Sequence, residues 1–179
     1  MKLAQKLTYL LALIFAVVNF IYTLAFSTNW AHGAARLGQF FMDAQAANQI
    51  LFKLALYGMV FSGMAIVFNT HKNRKFYPTN YVFSGLSIIM FLIIGIVTFI
   101  KVIPLKSAYL LLDPIQLERV TLLNWSTPSV TIFNWGYGLA SVSIMAAFMI
   151  GFITWYKFYK HVLRAKTKKS HLEVDHDYI

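Results

Sequence analysis

The residues of this chain that could do chemistry are few, and most lie where catalysis cannot use them. Near the C-terminus His171, Glu173, Asp175, His176 and Asp177 gather imidazole and carboxylate groups of the kind a divalent cation accepts. Such spacing in a terminal segment is common in solvated tails, and no metal site is expected from it. His32 and His71 fall outside the long apolar runs and at opposite ends of them, while His161 lies in the tail, so no histidine is placed to ligate a haem within a helix. Intramembrane catalysis needs a nucleophile, an acid/base pair or a metal at a depth that water reaches. The apolar runs hold no His, Asp, Glu or Arg away from their ends. The expectation is a protein with no cofactor that is not an enzyme. Asn124, Trp125 and Ser126 match a glycosylation sequon, a three-residue pattern that chance supplies often.

A second set of residues is polar but uncharged and sits inside the apolar runs: Asn19, Tyr22, Thr23, Ser62, Ser84, Ser87 and Ser143. A buried amide or hydroxyl in lipid bonds across to another helix, worth roughly 0.6 to 2 kcal/mol, or else lines a polar cavity. Gly136, Ala140, Ser143, Ala147 and Gly151 follow one another by three or four residues and form a small-residue stripe. A helix must pack closely there, and either this chain or another subunit can supply it.

The elements that carry these residues are four apolar stretches, 7–26, 50–69, 81–103 and 131–158. A hydrocarbon core about 30 Å thick needs roughly 20 helical residues, and each stretch reaches that length without a charge at mid-depth. Composition agrees, at 59% hydrophobic with a mean hydropathy of +0.61. The expected fold is an all-α membrane protein, a four-transmembrane-helix bundle forming one domain over 1–179. An open sheet would leave backbone groups unpaired in lipid, and long unbroken runs do not alternate as barrel strands do. Lys2 and Lys6 before the first run suggest a signal peptide, with Ala31, His32 and Gly33 as its cleavage site. The run is too long for that, and a retained first helix is expected.

The net charge of +10 is explained by its placement. Eleven of the sixteen Lys and Arg, namely Lys2, Lys6, Lys72, Arg74, Lys75, Lys157, Lys160, Arg164, Lys166, Lys168 and Lys169, fall on one side of the spans. The positive-inside bias therefore puts both termini in the cytoplasm, and no nucleic-acid partner is expected. The fourth span is expected to continue as a helix through Trp155, Tyr156 and Tyr159 into a basic tail, 159–179, and contact with anionic lipid is the expected role of the basic run from Lys157 to Lys169. With no cysteine, the outer loops hold their shape without disulfides.

Both outer loops are expected to contain short amphipathic helices. In 34–49, Leu37, Phe40, Phe41, Ala44 and Ala47 recur at helical spacing, so this stretch either lies on the outer surface or extends the second span outward. In the second loop, 104–130, Asp113, Pro114 and Gln116 make a helix start with N-cap, first-turn proline and capping box, leading through Leu117 to about Leu123.

The sequence thus predicts a non-catalytic integral membrane subunit that scaffolds or anchors a larger complex in the plasma membrane. Gly136, Ala140, Ser143, Ala147 and Gly151 are its candidate packing or partner surface, with Phe40, Phe41 and Leu117 outside. Membrane lipids and other membrane subunits, or copies of itself, are the expected partners. The alternative is a small transporter, channel or lipid-binding protein whose cavity is lined by Asn19, Tyr22, Thr23, Ser62, Ser84 and Ser87.

Overall fold

The computed structural model describes residues 2–29, 34–70, 78–112 and 130–176, with side chains described over 6–26, 38–69, 80–112 and 130–163. Four helices account for almost all of it: α1 (Lys2–Asn29), α2 (Ala34–Thr70), α3 (Pro78–Leu110) and α4 (Thr131–His176). The described residues contain no strand. Each helix is long and apolar enough to cross a membrane, over Lys6–Phe26, Gly38–Asn69, Asn80–Leu110 and Thr131–Leu163. The chain is a multi-pass membrane protein.

The helices form a ring in which each packs on the next in sequence and α4 returns to α1, with the α1–α4 seam the thinnest. Side-chain contacts fix an antiparallel register around it. Tyr9 meets Thr154 at one end, Asn19 meets Ser143 at mid-length, and Phe26 meets Phe133 at the other end. The two ends are called here the termini end, where Tyr9 lies, and the loop end, where Phe26 lies.

Hydrophobicity cannot drive one helix onto another in lipid, so shape and polar bonds must do so. The core accordingly has two textures. Toward the loop end it is aromatic: Phe26, Phe133, Tyr109 and Phe40 form a chain with ring centroids 5.3 to 6.0 Å apart, joined by Leu51, Val102 and Leu105. Toward the termini end it is built of small residues, Ala12, Ala16, Ala65, Ala146 and Ala147, around Tyr9, Phe91 and Ile150. Small side chains bring backbones close. At Gly95 the backbones approach closely, since a β-carbon there would lie 2.8 Å from the carbonyl oxygen of Ala140.

Three helix boundaries lie beyond the apolar runs. The stretch 34–49 does not lie apart on the outer surface but extends the second span outward, one of the two geometries expected for it. It is the first part of α2, broken only at Gly38, whose φ of 53° and ψ of −126° interrupt the helical backbone. From Gln39 onward it runs straight into the span, because Phe40, Ala44, Ala47 and Leu51 share one face and bury it against Leu105, Tyr109 and Phe133. Its polar side stays outside, with Gln39 Nε2 donating to Asp43 Oδ1 at 2.8 Å.

Nor does Pro104 end the third helix, which continues to Leu110. Proline lacks the N–H that would bond the carbonyl four residues back. The buried line Val102, Leu105 and Tyr109 nevertheless carries the helix on into the aromatic core. Finally, α4 stays helical through His176, past the end of the fourth apolar run, in line with its expected continuation into the tail. The expected second loop helix, with Leu117, lies outside the described residues, as do the side chains of the tail beyond residue 163.

Candidate functional site

The polar residues inside the apolar helices converge on the bundle axis at three levels. At the termini end, one cluster joins all four helices. Ser84 Oγ donates to the carbonyl of Asn80 at 2.8 Å, so Tyr9, whose hydroxyl lies 2.6 Å from Ser84 Oγ, is the donor of that bond. Asn69, in the last turn of α2, donates from Nδ2 to the Ala65 carbonyl at 2.8 Å and to Ser84 Oγ at 3.2 Å. Its Oδ1 accepts from Lys157 Nζ of α4 at 3.2 Å. Thr154 Oγ1 stands 3.5 Å from the Tyr9 hydroxyl. Lys157 follows Ile150 and Thr154 on the side of α4 that faces the bundle, and it supplies a cation to the end of α2, whose last turn has no basic residue of its own. A positive charge there is favoured by the helix dipole.

At mid-length Asn19 is 4% exposed and donates from Nδ2 to the carbonyl of Phe15 at 2.9 Å and to Ser143 Oγ at 3.0 Å. Ser143 in turn donates to the Leu139 carbonyl at 2.8 Å. The chain of bonds is complete, and it ties α1 to α4 at their thinnest seam.

Toward the loop end, Thr23 Oγ1 donates back to the Phe20 carbonyl at 2.7 Å, whereas the buried Tyr22 hydroxyl has no hydrogen-bond partner. It lies against Gly136, where a β-carbon would collide with it. Asn48 Oδ1, Ser62 Oγ, Ser87 Oγ and Asn80 Oδ1 are likewise buried and unpartnered.

The structure thus buries all six residues expected to line a cavity, Asn19, Tyr22, Thr23, Ser62, Ser84 and Ser87. It puts them on one axis but at different levels. Of the small-residue stripe, Gly136, Ala140, Ser143 and Ala147 are buried inside this bundle, and a β-carbon at Gly151 would touch Ile88 of α3. The stripe packs helices of this same chain. Phe40 is buried in the aromatic core, and Phe41 packs beside it half-buried. Tyr9, Asn69, Asn80 and Thr154 escaped the sequence reading, and Lys157 was read there only as one of the basic residues on one side of the spans, because each sits near the end of an apolar run, where polar residues are ordinary. Their shared level is visible only once the register is known.

One further surface bears on function. An open groove of about 540 Å³ runs along the outer side of α2, lined by Leu56, Met59, Val60, Gly63, Met64, Val67 and Phe68. It is apolar and faces where lipid would be. Among the described residues, no three His, Cys, Asp or Glu come together as metal ligands would. Comparison with known proteins gives no likeness to reason from: no family, curated protein or solved structure matches this chain.

Proposed function

We propose that the protein is a non-catalytic integral membrane subunit that anchors or scaffolds a larger complex, held in the plasma membrane with both termini in the cytoplasm. One observation carries this reading. The outward face of α4 presents Met145, Phe148, Phe152, Trp155 and Tyr159, spaced by three and four residues, with Phe148 70% and Phe152 66% exposed. Phe152 and Trp155 have centroids 6.4 Å apart, and Trp155 stacks on Tyr159 at 5.8 Å. The outward faces of α1 and α3 are instead mainly Leu, Ile and Val. Aliphatic faces suit lipid tails, while aromatic and methionine side chains at heptad spacing suit the knobs and holes of a helix–helix seam. With the small-residue stripe used inside the bundle, this ridge is a surface left for a partner.

The test is extraction of the tagged protein from its native membrane in mild detergent, followed by particle mass and identification of stoichiometric companions. A hetero-complex that dissociates when Phe148 and Phe152 are both changed to Leu supports the subunit reading. A lone protomer that behaves the same with either sequence sinks it.

The second reading, a small transporter, channel or lipid-binding protein, is favoured by the unpartnered polar groups on the axis, Tyr22, Ser62 and Ser87. It calls for loss of flux or ligand binding on substitution of Asn19 with no loss of fold. The partners in either case include membrane lipids, with anionic headgroups facing the basic continuation of α4.

A further inference from the structure

The groove on α2 follows Leu56, Val60, Gly63 and Val67, spaced by three and four residues along the side of the helix away from the bundle axis. Gly63 makes its notch. A β-carbon there would meet nothing within 4 Å, so no side-chain contact within this chain calls for a glycine, and the backbone at Gly63 is ordinary helix. Glycine is disfavoured in a helix interior relative to alanine, and in membranes its common use is to let a second helix come close.

The aromatic ridge of α4 lies at the opposite corner of the ring from this groove. Contacts through α3 fix their relative depth. Gly58 lies against Ile94 and Phe68 stacks on Phe83 across α2 and α3, while Ile88 faces Gly151 and Ile144 lies against Gly95 across α3 and α4. These pairs set Gly63 level with Ile89 and with Ile150. Phe148 and Phe152 flank Ile150 in α4, so the two most exposed rings of the ridge stand at the depth of the notch. Both α2 and α4 run from the loop end to the termini end. In two copies that share one orientation they therefore meet as parallel helices, each with apolar residues at heptad spacing.

The area is sufficient. An aromatic side chain covers about 150 to 250 Å² when buried, so the exposed parts of Phe148, Phe152 and Trp155, with Met145, offer roughly 500 Å². With the groove covered to a similar extent, the contact removes about 1,000 Å² in total, where specific interfaces begin.

We infer that copies of this protein pack side by side in the membrane, the α4 ridge of one seated in the α2 groove of the next, with Phe148 and Phe152 closing over Gly63. This deepens the subunit reading and rests on it for one step, that the ridge is a helix seam and not a lipid face. Because ridge and groove occupy opposite corners, a pair of copies keeps a free groove on one side and a free ridge on the other. The contact is heterologous, and it propagates into a ring or a row instead of stopping at a two-fold dimer.

The chain has no cysteine, so two single-thiol variants carrying different tags and expressed together form a mixed disulfide only where their copies meet. Val60 and Met145 are exposed on the outward faces of α2 and α4 within a turn of each other in depth, and Ile96 is exposed on α3 at a similar level. In the native membrane under a membrane-permeant oxidant, Val60→Cys with Met145→Cys should give on the order of tenfold more mixed disulfide than Ile96→Cys with Met145→Cys, because the bond needs β-carbons within about 4 Å. Adding Gly63→Leu to the Val60→Cys copy fills the notch and should abolish the excess while leaving the thermal melt unchanged.

Equal yields for the α2 and α3 positions overturn the packing, as does an excess that survives Gly63→Leu. Differently tagged Met145→Cys copies that link to each other as strongly as to Val60→Cys overturn it too, since ridge then meets ridge. The two readings fail separately. With equal yields, a different protein that leaves the extracted particle on Phe148→Leu with Phe152→Leu keeps the subunit reading and removes self-packing; no companion of either kind removes both and leaves the groove to lipid.

Discussion

Asn19 offers the most direct test of what holds the ring closed, since its amide spans the seam where α1 and α4 touch least. Asn19→Ala should lower stability by about 1 kcal/mol, the usual worth of an interhelical bond in lipid, read as a lower midpoint of thermal unfolding by circular dichroism in micelles. Ser143→Ala should cost a similar amount, and the double variant less than the sum, because the two residues share one bond. Additive losses would mean that the bond at 3.0 Å contributes nothing of its own. Gly95 makes a second prediction at this scale. With the Ala140 carbonyl 2.8 Å from where a β-carbon would stand, Gly95→Ala should destabilise by roughly 1 to 3 kcal/mol through overpacking. Gly63→Ala, where nothing lies within 4 Å, should be tolerated in the same assay. Asn19 and Ser143 were legible in the sequence as lone polar residues in apolar runs. Gly95 and Lys157 were not, because a tight contact or an end-capping cation leaves no period for a reader to find.

The helices themselves were legible as four apolar runs, and their ends only in part. Hydropathy reports where lipid begins, whereas a helix stops where its packing and backbone bonds stop. The stretch 39–49 is polar on one side and so reads either as a surface element or as an outward extension of the second span, and burial of Phe40, Ala44 and Ala47 in the aromatic core decides for the extension. Pro104 reads as a terminator, but buried Val102, Leu105 and Tyr109 on either side of it outweigh the one lost backbone bond. Beyond 158, helix-favouring residues such as Lys, Arg, Ala and Leu extend α4 to 46 residues, about 69 Å, more than twice the hydrocarbon thickness. Gly38 is where α2 does break, in a backbone conformation that a β-carbon resists. Gly38→Ala should therefore cost on the order of 1 to 2 kcal/mol although no side chain crowds the site, measured by the same melting experiment. An unchanged melt would show that the break relaxes freely.

At the scale of the whole molecule, the up-and-down ring requires that Lys160 and Met42 lie on opposite sides of the bilayer. A membrane-impermeant maleimide applied to intact cells should label Met42→Cys and spare Lys160→Cys until the membrane is opened, if the basic side faces the cytoplasm. The reverse pattern would invert the orientation without touching the fold. The same ring has a consequence for how the protein is made. Each helix packs on the one synthesised before it, so α1 to α3 can associate as they emerge, and most of the packing is local along the chain. The exception is the closure of α4 on α1, where Asn19 finds Ser143 across 124 positions and Tyr9 reaches Thr154 across 145. Until α4 arrives, the Asn19 amide and its neighbours face lipid without that partner. An unfinished copy therefore displays a polar flag at mid-membrane that a finished one hides, a difference that cellular surveillance of membrane proteins can use to tell the two apart.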